Sequence, residues 1–190
     1  MSLPRLYRAV QSSIAGPLHR QVRERIAAAI PDAPQVRVLD LGCGAGDYAA
    51  LFRRARYHGL DIDPRFVETA RRSFTGDNIT FAVGDARVLS FPDRAFDYCF
   101  SVGLYHHLPD AALVESLSQA QRVTSPGCVL VIDAIYPPRG NWPGYLLRKI
   151  DRGKHVRSLH DYEELLRSRF DVLEARAARG GFLDYVCFRL

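Results

Sequence analysis

Apolar runs and helix-like segments alternate along most of this 190-residue chain, and no hairpin turn separates the first five runs. "QVRVLDL" reads as a buried strand, followed by a turn and a helix from about Asp47 to Arg54. "RYHGLDI" is a second strand, and "DPRFVETARRSF" a helix capped by Asp63 with Pro64 at its first position. "NITFAVGDA" and "FDYCFSVGL" supply strands three and four. A helix over Asp110–Val123, the turn "SPG" and a fifth strand, "CVLVIDAI", follow. Strands joined through helices predict a parallel sheet covered on both faces, an α/β fold. The rhythm then changes. "SLHDYEELLRSRF" is a helix starting at Ser158 or at His160-Asp161, and "FDVLEARAA" meets "GGFLDYVCFRL" across "RGG" with no helix between. That last pair predicts an antiparallel hairpin.

Composition narrows the class rather than the function. A chain of 190 residues fits one domain. No apolar run approaches the roughly 20 residues that span a bilayer, and the N-terminus lacks a signal-type apolar stretch, so a cytoplasmic location is the default. Cys43, Cys99, Cys128 and Cys187 are too scattered for a zinc site or a disulfide framework, and no metal site is expected. The net charge of +5 is modest. It permits an anionic partner without naming one.

The chemistry starts at "VLDLGCGAGDYAALF". Gly42, Gly44 and Gly46 occupy alternate positions behind Asp40, giving GxGxG. A dinucleotide turn would need GxGxxG, and its sixth position here is Asp47. No GK[ST] follows to make a phosphate loop. An acid in front of the turn would also repel a phosphate at the following helix N-terminus. A ligand carrying an ammonium group suits the turn better, with Asp40 as charge complement and brace, and with Cys43 contributing through its backbone.

At this point the sequence resembles the class I S-adenosylmethionine-dependent methyltransferases, whose first motif commonly reads "VLDLGCGAG". The resemblance is dense from Val36 to Ala134 and weaker through the final hairpin. It implies a Rossmann-like doubly wound sheet of seven strands, order 3-2-1-4-5-7-6 with strand 7 antiparallel. It also implies one domain over 1–190, with covering helices over 1–34 and a substrate lid over 135–158. S-adenosyl-L-methionine is the implied cofactor. Asp61 and Ile62, ending the second strand, would take its ribose, since a carboxylate can accept from both hydroxyls of a diol. Asp85 and Ala86 would take the adenine amine, and Ser101 and Val102 would line the cofactor through their backbone.

Methyl transfer needs a base only when the acceptor carries a proton. "SVGLYHHL" places Tyr105, His106 and His107 toward the acceptor, and Asp133 is a candidate to grip it. The chain lacks the [DNS]PP[YFW] tetrapeptide of base-amino methylation, and no aromatic-basic platform argues for nucleic acid. A small-molecule acceptor is expected, methylated on oxygen or carbon, moderately apolar and with an anionic group allowed. Specificity would reside in "IYPPRGNWPGYLLRKIDRGKHVRS". There Trp142, Leu146 and Ile150 form a stripe among Arg139, Arg148, Lys149, Arg152, Lys154 and Arg157. A packed lid with an arginine on the acceptor is the favoured reading, and peripheral membrane contact through 139–157 an alternative. In the N-terminal region, Pro17 fits a first helical position and Ile26, Ala27 and Ile30 an apolar stripe. Two other functions stay open: a non-catalytic cofactor-binding subunit, and a peripheral membrane methyltransferase acting on a lipid or quinone precursor. Oligomeric state has no signature.

Overall fold

The computed structural model describes residue 16 and residues 18–137, 140–149 and 153–190. Helix α1 (18–29) leads into β1 (Arg37–Leu41), β2 (Arg56–Asp61), α2 (Pro64–Ser73) and β3 (Ile79–Val83). Then come β4 (Tyr98–Val102), α3 (Asp110–Val123), β5 (Val129–Ala134), α4 (Trp142–Lys149), α5 (Leu159–Arg167), β6 (Glu174–Gly180) and β7 (Leu183–Arg189). The seven strands make one sheet in the order β3-β2-β1-β4-β5-β7-β6. The first five are parallel, and β7 is antiparallel to both β5 and β6. Sheet order and direction match the expectation.

Alternation along each strand builds two cores. Val38 packs under α1 and α2 with Val22, Ile26, Ile30, Phe52, Tyr57 and Phe100. Leu39 and Leu41 face the other way, toward Leu113 and Leu117 of α3 and Tyr162 and Leu166 of α5. The α1 stripe is Val22, Ile26 and Ile30, at spacings of four, while Ala27 is exposed. Pro17 lies outside the described residues.

Helix α2 begins as read: the Asp63 carboxylate accepts from the Arg65 N–H, and Pro64 opens the first turn. The predicted helix from Asp47 to Arg54 is not there. Only a 3-10 turn, Ala49–Leu51, forms. The reason lies elsewhere in the chain. Asp32 accepts the N–H groups of Arg53, Arg54 and Ala55, and the Asn78 amide donates to the carbonyls of Phe52 and Ala55. Side chains thus take the backbone groups that a helix would have used, and turn the chain into β2.

The lid stripe also differs. On α4, Trp142 is 75% exposed, and Tyr145 and Leu146 are exposed with it. The helix docks by its small side instead. Asn141 donates to the Phe182 carbonyl and to Asp184 and accepts from the Gly144 N–H. A Cβ on Gly144 would meet that same carbonyl. Ile150, Arg139 and Arg152 lie outside the described residues, as do the side chains of Arg148 and Lys149.

Candidate functional site

The carboxyl ends of β1, β2 and β4 meet at the glycine turn. Gly42 and Cys43 both donate their N–H to the Leu60 carbonyl, clamping the turn onto β2. Gly42, Gly44 and Gly46 all have positive φ, at 73°, 53° and 84°. Two of them have different reasons to be glycine. A Cβ on Gly46 would press on Phe74 and Phe81, whereas one on Gly44 would meet nothing within 4 Å. Gly44 is therefore the open floor of the turn, and Gly46 a packing joint.

Asp61 braces this floor. Its Oδ2 accepts from the Gly44 N–H and its Oδ1 from the Asp63 N–H, both at 2.9 Å. Two donors leave acceptor capacity on a carboxylate, so Asp61 can still receive hydroxyls. Ile62, the next residue, is 67% exposed beside it, an apolar surface without a partner side of its own. Asp85 accepts the Arg87 N–H and forms an ion pair with its guanidinium, which holds the carboxyl below the usual range. An amine arriving there shares Asp85 with Arg87. Ala86 packs against the α3-side core.

Asp40 is buried under the turn, and the Tyr57 hydroxyl donates to it at 2.6 Å. Burial raises its pKa to about 7, the Tyr57 bond opposes that, and the neighbouring charges of Asp47 and Asp61 add to it. Three carboxylates crowded at one turn disfavour a phosphate and are relieved by a cation. The Cys43 thiol is buried and pushed up by burial, so its backbone is what serves the turn. Ser101 is buried at the end of β4, next to the half-buried Val102.

The residues after β4 sort differently from expectation. They form a 3-10 turn, Tyr105–His107, which buries Tyr105 and His106 and leaves His107 exposed. Tyr105 goes inward: it is 1% exposed, and burial pushes its hydroxyl above the ordinary range. It belongs to the core and cannot reach an acceptor. Asp133 is likewise corrected. Its Oδ1 accepts from His106 Nδ1 at 2.6 Å and from the Ala134 N–H at 2.7 Å, and its Oδ2 accepts from the Tyr162 hydroxyl at 2.9 Å. A buried carboxylate holding three donors grips the protein, not an acceptor.

His106 is consequently the oriented group. An ionised carboxylate only accepts, so the network assigns the proton to Nδ1 and leaves the Nε2 lone pair as the basic site. His107 stacks on it with ring centroids 4.1 Å apart. A strap, residues 153–157, crosses over His106: His155 donates its N–H to the His106 carbonyl, and a Cβ on Gly153 would run into the His106 ring. Arg157 fastens the strap. Its guanidinium donates to the carbonyls of Tyr105, Leu108 and His155 and to Asp110. It is buried and committed, so it is not a free arginine for an anionic acceptor. Sequence reading missed Tyr162, whose only local signal was an aromatic on the buried side of a capped helix.

A family model described as a methyltransferase domain matches residues 38–127. A malonyl-[acyl-carrier protein] O-methyltransferase of Serratia marcescens is 29% identical over 144 residues, 75% of this chain and 55% of that protein. A 2-methyl-6-phytyl-1,4-hydroquinone methyltransferase of Synechocystis is 38% identical over 104 residues, 52% of this chain and 32% of that one. The chain thus spans between a third and about half of these curated relatives. Among solved structures, a putative methyltransferase in complex with the Trm112 activator from Haloferax volcanii superposes with a TM-score of 0.74. It is 20% identical and covers 92% of this chain and 91% of that one, which speaks to the fold.

Proposed function

Because the chain belongs to the class I S-adenosylmethionine-dependent methyltransferases, we propose that it methylates an oxygen or acidic carbon of a small, apolar acceptor, with His106 as general base. One observation carries the reading: a buried Asp133 fixes His106 as the Nδ1–H tautomer at the same sheet end as the glycine turn.

The turn fits the cofactor on its own features. Gly44 offers an open floor, Asp61 has acceptor capacity for a ribose diol, Ile62 offers an apolar face, and the Asp40–Asp47–Asp61 cluster favours an ammonium. Asp85, Ala86, Ser101 and Val102 line the remainder. When bound, S-adenosylmethionine supplies a methyl group on a sulfonium sulfur, already electrophilic. The protein's part is to orient, exclude water and move one proton. His106 Nε2 takes the proton of a hydroxyl or activated C–H, and the resulting imidazolium is balanced by Asp133. The strap, packed on the His106 ring at Gly153, keeps water from that face. The relatives' names include an acyl O-methyltransferase and a phytyl-hydroquinone methyltransferase, acceptors of the class that such a base serves.

The test is turnover of labelled S-adenosylmethionine against a panel of hydroquinones, phenols and acyl carboxylates. His106→Gln should lose about 10²–10⁴-fold in kcat while retaining calorimetric binding of S-adenosylhomocysteine. Asp61→Ala should lose that binding. Full turnover by His106→Gln would remove the base.

The exposed Trp142, Tyr145 and Leu146 support a second, compatible reading, in which α4 contacts a lipid surface from which an apolar acceptor is drawn. Co-sedimentation with anionic vesicles, lost in a Trp142→Ala/Leu146→Ala double variant, is the expected result. Equal sedimentation of the variant would end it.

A further inference from the structure

We propose that Tyr162 is a positioning residue for the His106 base, its hydroxyl locking the Asp133 carboxylate in the rotamer that presents Oδ1 to the imidazole. The inference rests on His106 being the base, and deepens that reading by naming what holds it.

Packing explains the ring of Tyr162 but not its hydroxyl. The ring lies 5.2 Å from that of Phe188, centroid to centroid, in the α5-side core, and a phenylalanine would fill the space equally. The hydroxyl is a fully buried polar group whose burial costs free energy unless it is bonded, and its partner is Asp133 Oδ2 at 2.9 Å. Asp133 has the reciprocal need. Its Oδ1 holds His106 and the Ala134 N–H, so without Tyr162 its other oxygen would lose a donor in a site with almost no water access. The two requirements meet in one bond. The ring position is fixed in turn by α5, which Ser158 caps, and by the Arg157 guanidinium 5.4 Å from the ring centroid. The residue that fastens the strap over His106 therefore also presses on the residue that holds Asp133.

The chemical consequence has a sign. A donor on Asp133 Oδ2 disperses the carboxylate's charge and so weakens its pull on an imidazolium. Removing that donor concentrates charge on the carboxylate and favours protonated His106. The other titratable and charged groups around the assembly are His107 and Tyr105 on the same turn, Arg157 with its partner Asp110, and the exposed Lys154 and His155 of the strap. Tyr162→Phe changes none of them.

The experiment follows the His106 ring by NMR in the full-length protein, assigned with His106→Gln, with and without S-adenosylhomocysteine. Tyr162→Phe should raise the His106 titration midpoint by about one pH unit, and should move the acidic limb of kcat/KM by the same amount. Asp133→Asn should lower the midpoint. A purely structural Tyr162 would reduce thermal stability and leave the midpoint unmoved, and that result overturns the proposal. Should Tyr162→Phe fail to fold, ring nitrogen shifts of the wild type decide: an Nε2–H tautomer overturns the proposal, and an Nδ1–H tautomer with a hydrogen-bonded Tyr162 hydroxyl proton supports it. A shifted midpoint without methyl transfer to any acceptor would sustain the positioning role and sink the catalytic one, so the two failures are distinct.

Discussion

Asp40 stands at the turn with its pKa raised to about 7, chiefly by burial. Its ordinary value is 3.8, so between the two the folded protein holds a proton that the unfolded chain has released. Stability from this group is complete below 3.8 and is lost as pH rises through about 7. Asp40→Asn should remove that loss, gaining about 2–4 kcal/mol over wild type at pH 8 and nothing at pH 4, as read by urea unfolding at both. The two glycines make a second contrast. Gly46→Ala should cost about 2–4 kcal/mol of stability through left-handed strain and crowding against Phe74 and Phe81. Gly44→Ala should cost only about 1–2 kcal/mol yet weaken S-adenosylhomocysteine binding at least as much as Gly46→Ala does, measured by calorimetry. The turn residues were legible because their spacing is local. The partners of His106 were not: Tyr162 and Asp133 lie 56 and 27 positions away, and only the pairing of β4 with β5 and the seating of α5 bring them together. Tyr105 was misplaced for a related reason: the core that takes its ring is built by Leu113, Leu117 and Tyr162 of other elements.

At the level of elements, local pattern succeeds where an element's backbone groups are satisfied within itself or by a neighbouring strand. It fails where a distant side chain intervenes. Helix α3 runs Asp110–Val123 as its periodicity predicts, whereas the segment after the glycine turn yields to Asp32 and Asn78. The strap is the extreme case: residues 153–157 have no regular pattern and are held by the Arg157 guanidinium together with backbone bonds from His155 to His106 and from Tyr136 to Arg157. Arg157→Lys keeps a charge but cannot serve three carbonyls and Asp110 in one plane. It should cost about 2–3 kcal/mol and release the strap locally. Hydrogen exchange at the His155 amide, which donates to the His106 carbonyl, should then quicken well before that of β1. Unchanged protection at His155 would mean that Gly153 packing and the backbone bridge between Ile135 and Arg157 seat the strap without the guanidinium.

For the whole molecule, the topology places the candidate cofactor residues on the carboxyl ends of β1, β2, β3 and β4, and His106, the proposed base, on the loop after β4, braced from β5 and α5. Binding in that crevice joins turns from four strands, so ligand should stabilise the folded state as a unit. At a concentration one hundred times its dissociation constant, S-adenosylhomocysteine should add about 2.7 kcal/mol. For a chain of this size that is a Tm rise of about 5–10 °C. The rise should shrink below pH 6, because a protonated Asp40 no longer favours a cationic ligand, and Asp40→Asn should show a small rise at every pH. Adenosine alone lacks the ammonium group, so its smaller rise should not change between pH 6 and 8. A pH-dependent adenosine response would show that the linkage does not come from an ammonium group meeting Asp40. A thermal scan with both ligands across that range, on wild type and Asp40→Asn, therefore tests how the buried acid under the glycine turn selects its ligand.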